Sequence, residues 1–264
     1  MRLRHTNRRF LSCKYPSLKR ESHFTERGYV VYLADNNAIG RSTGNAIPSF
    51  PMAAGSATET VMNTRANGDS VYDQFKKSLI PLTTNFFGQE NALRAGGCEL
   101  LSLLGEKAFL ISHSLGSRNP LRPSNDCPGY IAGSINLETV TSPFWSYAEG
   151  LVSNPPELES ESVGEETLAH RSCYLQAEPA RRLLQINKVP YLLLTGEASV
   201  QITYDHCVIN NLKQAGGKPE WIKLADWGIK GNSHFLHVEK NNMQVAGIVD
   251  AWIQKKFLDC TKSA

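Results

Sequence analysis

The stretch Lys107-Ala-Phe-Leu-Ile-Ser-His-Ser-Leu-Gly116 constrains this chain more than any other. An apolar run of strand length ends on Ser-x-Ser-x-Gly, just ahead of a segment read as helical. A serine so placed sits on a sharp strand-to-helix turn. Small residues two before and two after it let the backbone fold tightly beneath the hydroxyl. Ser112 fills the first small position and Gly116 the second. Serine and glycine are also ordinary turn residues, so the motif gains meaning only from what surrounds it.

What surrounds it is an alternation of short β-branched runs with amphipathic stretches from Gly28 onward, the signature of crossover units and a mostly parallel sheet. Five strands are expected: Tyr29 to Ala34, Ala108 to Ser112, Tyr130 to Leu137, Tyr191 to Thr195 and Trp221 to Ala225. Their near-continuous apolar character fits strands covered by helices on both faces, an α/β fold. Helices are expected over Glu90 to Leu104, Tyr204 to Gln214 and Glu239 to Phe257. The last carries Met243, Val245, Ile248, Val249 and Trp252 on one broad face, a stripe for core packing.

Two long segments lack periodicity, Ser42 to Thr84 and Thr141 to Asn187, and both are rich in Pro, Gly, Ser and Glu. Segments of that length in a compact domain are usually functional or disordered. The second carries Phe144, Trp145 and Tyr147, which line a pocket or plug a core. Its acidic run, Glu157 to Glu166, reads as a solvated surface. The first 22 residues are rich in Lys and Arg, with no acid before Glu21 and no apolar core of the secretory kind. They read as a disordered leader ahead of one domain over residues 23–264, with an insert at about 141–187. A mitochondrial presequence fits less well for want of amphipathic periodicity, and a cytoplasmic location is expected.

At 264 residues, 41% of them hydrophobic, the chain can bury a full core. A formal charge of +3, from 28 basic and 25 acidic residues, argues against nucleic acid or a membrane surface as the main partner. No apolar run approaches the roughly 20 residues of a membrane helix. Cys13, Cys98, Cys127, Cys173, Cys207 and Cys260 show no Cys-x-x-Cys pair and no zinc-like spacing, so no metal is expected and buried thiols are the ordinary reading. No motif asks for a cofactor. A small-molecule substrate is what these exclusions leave.

A serine nucleophile needs a base, and seven histidines are available. His5 and His23 lie in or beside the leader, His170 in the insert and His206 within a helical pattern. His113, next to Ser114 on the turn, should point away from the hydroxyl. His234 stands apart, on a glycine-punctuated loop between the last strand and the last helix. There the Ser, acid, His chain order of α/β-hydrolases puts its histidine.

The segment Gly228-Ile-Lys-Gly-Asn-Ser-His-Phe-Leu-His-Val-Glu-Lys-Asn-Asn resembles the histidine loop of a subgroup of bacterial and fungal α/β-hydrolase esterases. Gly28-Tyr-Val-Val-Tyr-Leu-Ala-Asp35 with Gly40-Arg-Ser42 is similar to that subgroup's strand and Gly-Arg-Ser turn. Leu194-Thr-Gly-Glu-Ala-Ser199 and Gln214-Ala-Gly-Gly217 match as well, so the resemblance spans about Ser22 to Gln254. It implies the α/β-hydrolase fold and hydrolysis of a small ester, or a related acyl bond, through an acyl-enzyme. It also implies a catalytic acid at Glu138, ending the strand after the elbow. The carboxyl end of a parallel strand is independently where ligands bind. Glu197 and Asp205, after the following strand, are the alternatives that the general fold would favour.

With Ser114 as nucleophile, His234 as base and Glu138 holding the imidazole, the backbone N–H of Leu115 would be one oxyanion donor. The subgroup's upstream strands and second-donor loop have no counterpart in Met1 to Glu26, so the sheet is expected to lack its first strands. Asn36-Asn37-Ala38-Ile39 departs from the subgroup's turn. A non-catalytic relative is the alternative reading.

Overall fold

The computed structural model describes residues 3–5, 19–34, 93, 96–143, 145–146 and 160–262. Its centre is a four-stranded, wholly parallel sheet. The strands are β3 (Ala108–His113), β4 (Ile131–Leu137), β9 (Tyr191–Thr195) and β10 (Pro219–Lys223), in the order β10-β9-β4-β3. These are four of the five expected strands, each within two residues of its expected bounds. The fifth expectation is corrected. Of Tyr29 to Ala34 only β2 (Tyr32–Ala34) is extended, and it pairs antiparallel with β1 (Leu3–His5) in a two-stranded sheet of its own. Bulky and β-branched residues favour extended backbone but do not choose a partner strand.

The faces of the sheet follow from the period of two along each strand. On one face Ile135, Leu137, Leu192 and Leu194 pack against Val245, Ile248, Val249, Trp252 and Ile253 of helix α5 (Asn242–Lys262), with Phe24 of α1 (Lys19–Glu26) added at the margin. On the other, Tyr191 and Leu193 meet Val208, Ile209 and Leu212 of α4 (Asp205–Gln214) and Leu121 of α3 (Arg118–Asp126). Met243, expected on the core stripe of α5, is 39% exposed, although Val245 in the same turn is buried in the core. Close packing fixes one residue of β4. A Cβ on Gly133 would lie 2.9 Å from the Phe109 ring and 3.0 Å from Trp252, whose rings meet edge to face.

The expected helix ahead of the elbow strand, α2, is described over residues 96–102. The insert after β4 holds two antiparallel pairs, Thr141–Ser142 with Trp145–Ser146 (β5, β6) and Ser160–Val163 with Cys173–Gln176 (β7, β8). Residues 161–166 of its acidic run are exposed. The reading of the cysteines as thiols is also corrected. Cys98 is bonded to Cys127, and Cys173 to Cys207, bridging 29 and 34 residues and tying β8 to α4. Neither spacing carries a local signature that sequence alone can read. Ser42 to Thr84, the Gly40-Arg41-Ser42 turn, Asn36 to Ile39, Phe144, Tyr147 and the side chain of Trp145 lie outside the described residues, as do residues 6–18 of the segment on which the expectation of missing strands turns.

Candidate active site

Three chain segments converge at the carboxyl end of the sheet. The first is the turn after β3. Ser114 adopts φ 52°, a left-handed conformation that costs a non-glycine residue about 1–2 kcal/mol and lifts its side chain off the strand line. A single turn, Ser114–Ser117, then leads into α3. The two small positions of the motif serve differently than expected. A Cβ on Gly116 would meet nothing within 4 Å, so contact does not demand glycine there. Ser112 is anchored, its hydroxyl donating to Asn136 Oδ1 at 2.7 Å.

The second segment follows β4. Register places His113 beside Leu137, so Ser114 and Glu138 leave adjacent strands at the same level. Glu138 also takes a left-handed φ, 51°. Its side chain is fully buried. Oε1 accepts the Gly196 N–H at 2.6 Å, and Oε2 accepts the Ser199 hydroxyl. The two turns are joined through Ser117, whose hydroxyl donates to the Ser114 carbonyl at 2.6 Å and accepts from Thr139 Oγ1 at 2.6 Å.

The third segment is the loop before α5, where Gly228 and Gly231 take φ 75° and 74°. Fully buried Asn232 organises it. The Asn232 amide donates to Glu239 Oε2 at 2.6 Å and exchanges two 2.8 Å hydrogen bonds with the side-chain amide of Asn241. Its carbonyl accepts the Ala198 N–H at 2.9 Å. Gly196 lies directly beneath, where any Cβ would overlap that carbonyl. His113 donates from Nε2 to the His234 carbonyl at 2.8 Å, so it braces the histidine loop rather than turning into bulk solvent. Its ring packs 4.8 Å from that of His234 and 4.4 Å from that of His237.

The result brings Ser114, His234 and Glu138 together. His234 Nε2 lies 2.8 Å from Ser114 Oγ, within reach for proton transfer. Nδ1 faces Glu138 Oε2 at 3.6 Å and the side-chain amide of Gln201 at 2.9 Å. The alternative acids go elsewhere. Glu197 is exposed and accepts the Gly231 N–H at 3.0 Å. Asp205 is buried under Thr195, whose hydroxyl donates to it. Burial holds the Asp205 carboxyl well above the ordinary carboxylate range, and the Glu138 charge adds to that against the opposing Thr195 hydrogen bond. Sequence reasoning gave no role to Ser117, Thr139, Ser199 and Gln201; Ser199 closes the matched segment Leu194–Ser199, and the others lie in turns that no periodicity or motif marks.

Cys173, Cys207 and His206 are the group with metal-compatible spacing among the described residues. The disulfide occupies both sulfurs, so the donor set does not suit a metal.

No protein-family model matches the chain. A probable secreted lipase of a fungal species (strain ATCC 74256) is 28% identical over 273 residues, covering 89% of this chain and 75% of that protein. Among solved structures a bacterial esterase superposes with a TM-score of 0.59 at 19% identity, over 89% of this chain and 73% of that one. With the parallel sheet and its flanking helices, the structural match shows an α/β-hydrolase fold. The expectation of a cytoplasmic location is overturned, since the matched relative is a probable secreted lipase. No helix among the described residues is long and apolar enough to cross a membrane.

Proposed function

We propose that the chain is a serine hydrolase that cleaves small carboxylic esters through an acyl-enzyme, with Ser114, His234 and Glu138 as its reacting triad. The observation that carries this reading is the 2.8 Å approach of His234 Nε2 to a serine hydroxyl held on a left-handed turn. Ser114 Oγ attacks the acyl carbonyl as Nε2 takes its proton. The Leu115 N–H, first in the turn after the nucleophile, donates to the developing oxyanion. His234 returns the proton to the leaving alcohol, and water repeats the sequence on the acyl-enzyme. Buried Glu138 supplies the negative charge that stabilises the imidazolium. The names of the matched lipase and esterase support an ester as the substrate class. The two disulfides, with the secreted relative, support work in an oxidising compartment.

The test is turnover of p-nitrophenyl acetate and covalent labelling by a fluorophosphonate, which reacts with activated serines. Both are expected in the parent and both are abolished by Ser114→Ala. That variant should keep its stability within about 1 kcal/mol, because a hydroxyl facing the site contributes little to packing. Equal turnover by variant and parent would remove Ser114 from the mechanism.

A further inference from the structure

The partner of His234 Nδ1 decides how the base is held, and the carboxylate does not fill that place. Glu138 Oε2 stands 3.6 Å away, outside hydrogen-bond range, whereas the side-chain amide of Gln201 stands at 2.9 Å. Both oxygens of Glu138 are engaged already, by the Gly196 N–H and the Ser199 hydroxyl. Ser199 Oγ also lies 2.5 Å from the far end of the same amide, at Gln201 Oε1.

Counting protons orders this network. With Nε2 of Gln201 toward the imidazole, an NH₂ group faces Nδ1, which must then accept and leave its proton on Nε2. Nε2 would carry that proton toward Ser114 and could not act as base. The same orientation asks the single Ser199 proton to serve both Glu138 and Gln201 Oε1. Exchanging the two near-isosteric ends of the amide removes both conflicts at once. Gln201 Nε2 then donates to Ser199 Oγ, the Ser199 hydroxyl donates to Glu138, and Gln201 Oε1 accepts from Nδ1–H. Each of these three contacts then pairs a donor with an acceptor, and the His234 Nε2 lone pair faces Ser114.

We infer that Gln201 is the positioning residue of His234, its side-chain carbonyl accepting the Nδ1 proton while Glu138, acting through Ser199, fixes which way the amide faces. The inference rests on the reading of Ser114 and His234 as the reacting pair. It divides two tasks that a direct carboxylate would combine: Gln201 sets tautomer and ring orientation, and Glu138 contributes charge. Gln201 and Ser199 are both buried, which keeps water from competing for Nδ1. The first turn after β9 thereby belongs to the site, although it carries no side chain that reacts.

The experiment compares Gln201→Leu, Gln201→Glu and the parent by kcat and KM across pH, with proton NMR of the imidazole Nδ1–H. Gln201→Leu keeps bulk and removes the acceptor. It is expected to lower kcat tenfold or more at nearly unchanged KM, and to lose or shift the Nδ1–H resonance. Gln201→Glu restores an acceptor and should recover most of kcat while moving the acid limb of the pH profile upward. In the parent, the Gln201 amide protons should show dipolar contacts to Ser199 rather than to the His234 ring. That measurement needs neither a variant that folds nor turnover, so a failure of the hydrolase reading is seen separately from a failure here. Amide protons against the ring, or a folded Gln201→Leu with parental kcat and resonance, would overturn the inference.

Discussion

Gly196→Ala is the substitution that most directly tests how the histidine loop is seated. Gly196 directly follows β9, gives its N–H to Glu138 at 2.6 Å, and lies under the Asn232 backbone. An added Cβ would overlap the Asn232 carbonyl oxygen and sit 2.9 Å from its carbon. Carbon atoms rest comfortably at about 3.5–4.0 Å, so one backbone must retreat by roughly 1 Å. The β9 end is fixed by the sheet and by Glu138, so the loop carrying His234 is the part that yields. A misplacement of about 1 Å in a catalytic group costs on the order of a hundredfold in rate, and overpacking costs about 1–3 kcal/mol of stability. We therefore expect kcat for p-nitrophenyl acetate to fall about a hundredfold, with a modestly lowered unfolding midpoint and an unchanged far-UV spectrum. A folded variant with kcat within threefold of the parent would refute the idea that this contact positions His234.

Two further outcomes are expected. Replacing Cys173 and Cys207 by serine removes a bridge across 34 residues, and chain-entropy reasoning puts the loss at about 4 kcal/mol, checked by urea unfolding with and without reductant. Asp205→Asn should change how stability responds to pH. The folded parent keeps the Asp205 proton above the ordinary value of 3.8 while the unfolded chain releases it, so parental stability falls as pH rises from about 4 towards the raised folded pKa. The variant lacks that fall, and its unfolding free energy should gain on the parent over that window. Parallel curves from pH 4 to 8 would show that Asp205 is ionised in the fold.

The central sheet was legible because strands buried on both faces must be almost uniformly apolar, as Tyr191 to Thr195 is. Tyr29 to Ala34 has the same composition, yet its extended part pairs with Leu3–His5, since composition sets conformation and not partner. Ser114 and His234 could be found because a turn after a strand and a glycine-punctuated loop have local signatures. The placement of Glu138 against Glu197 and Asp205 rested on resemblance, and the geometry that separates the three depends on contacts between segments, such as Gly196 with Glu138, 58 residues apart. Gln201 and Ser199 were invisible for a related reason. Their roles arise from a turn meeting two other segments, and no residue pattern within the turn records that meeting.

Ser114 and Glu138 hold left-handed backbone at the ends of neighbouring strands, which sets the fold against its chemistry at two points. Glycine at position 114 would relieve about 1–2 kcal/mol of backbone strain while deleting the proposed nucleophile, whereas at position 138 the same relief would leave the Gly196 N–H and the Ser199 hydroxyl without their acceptor. A library of this chain selected for heat resistance alone would drift towards glycine at position 114 and, on the proposed mechanism, arrive at robust, inert proteins. Directed evolution for durability has to impose turnover in every round, because the strained turn at Ser114 rewards the loss of the proposed nucleophile.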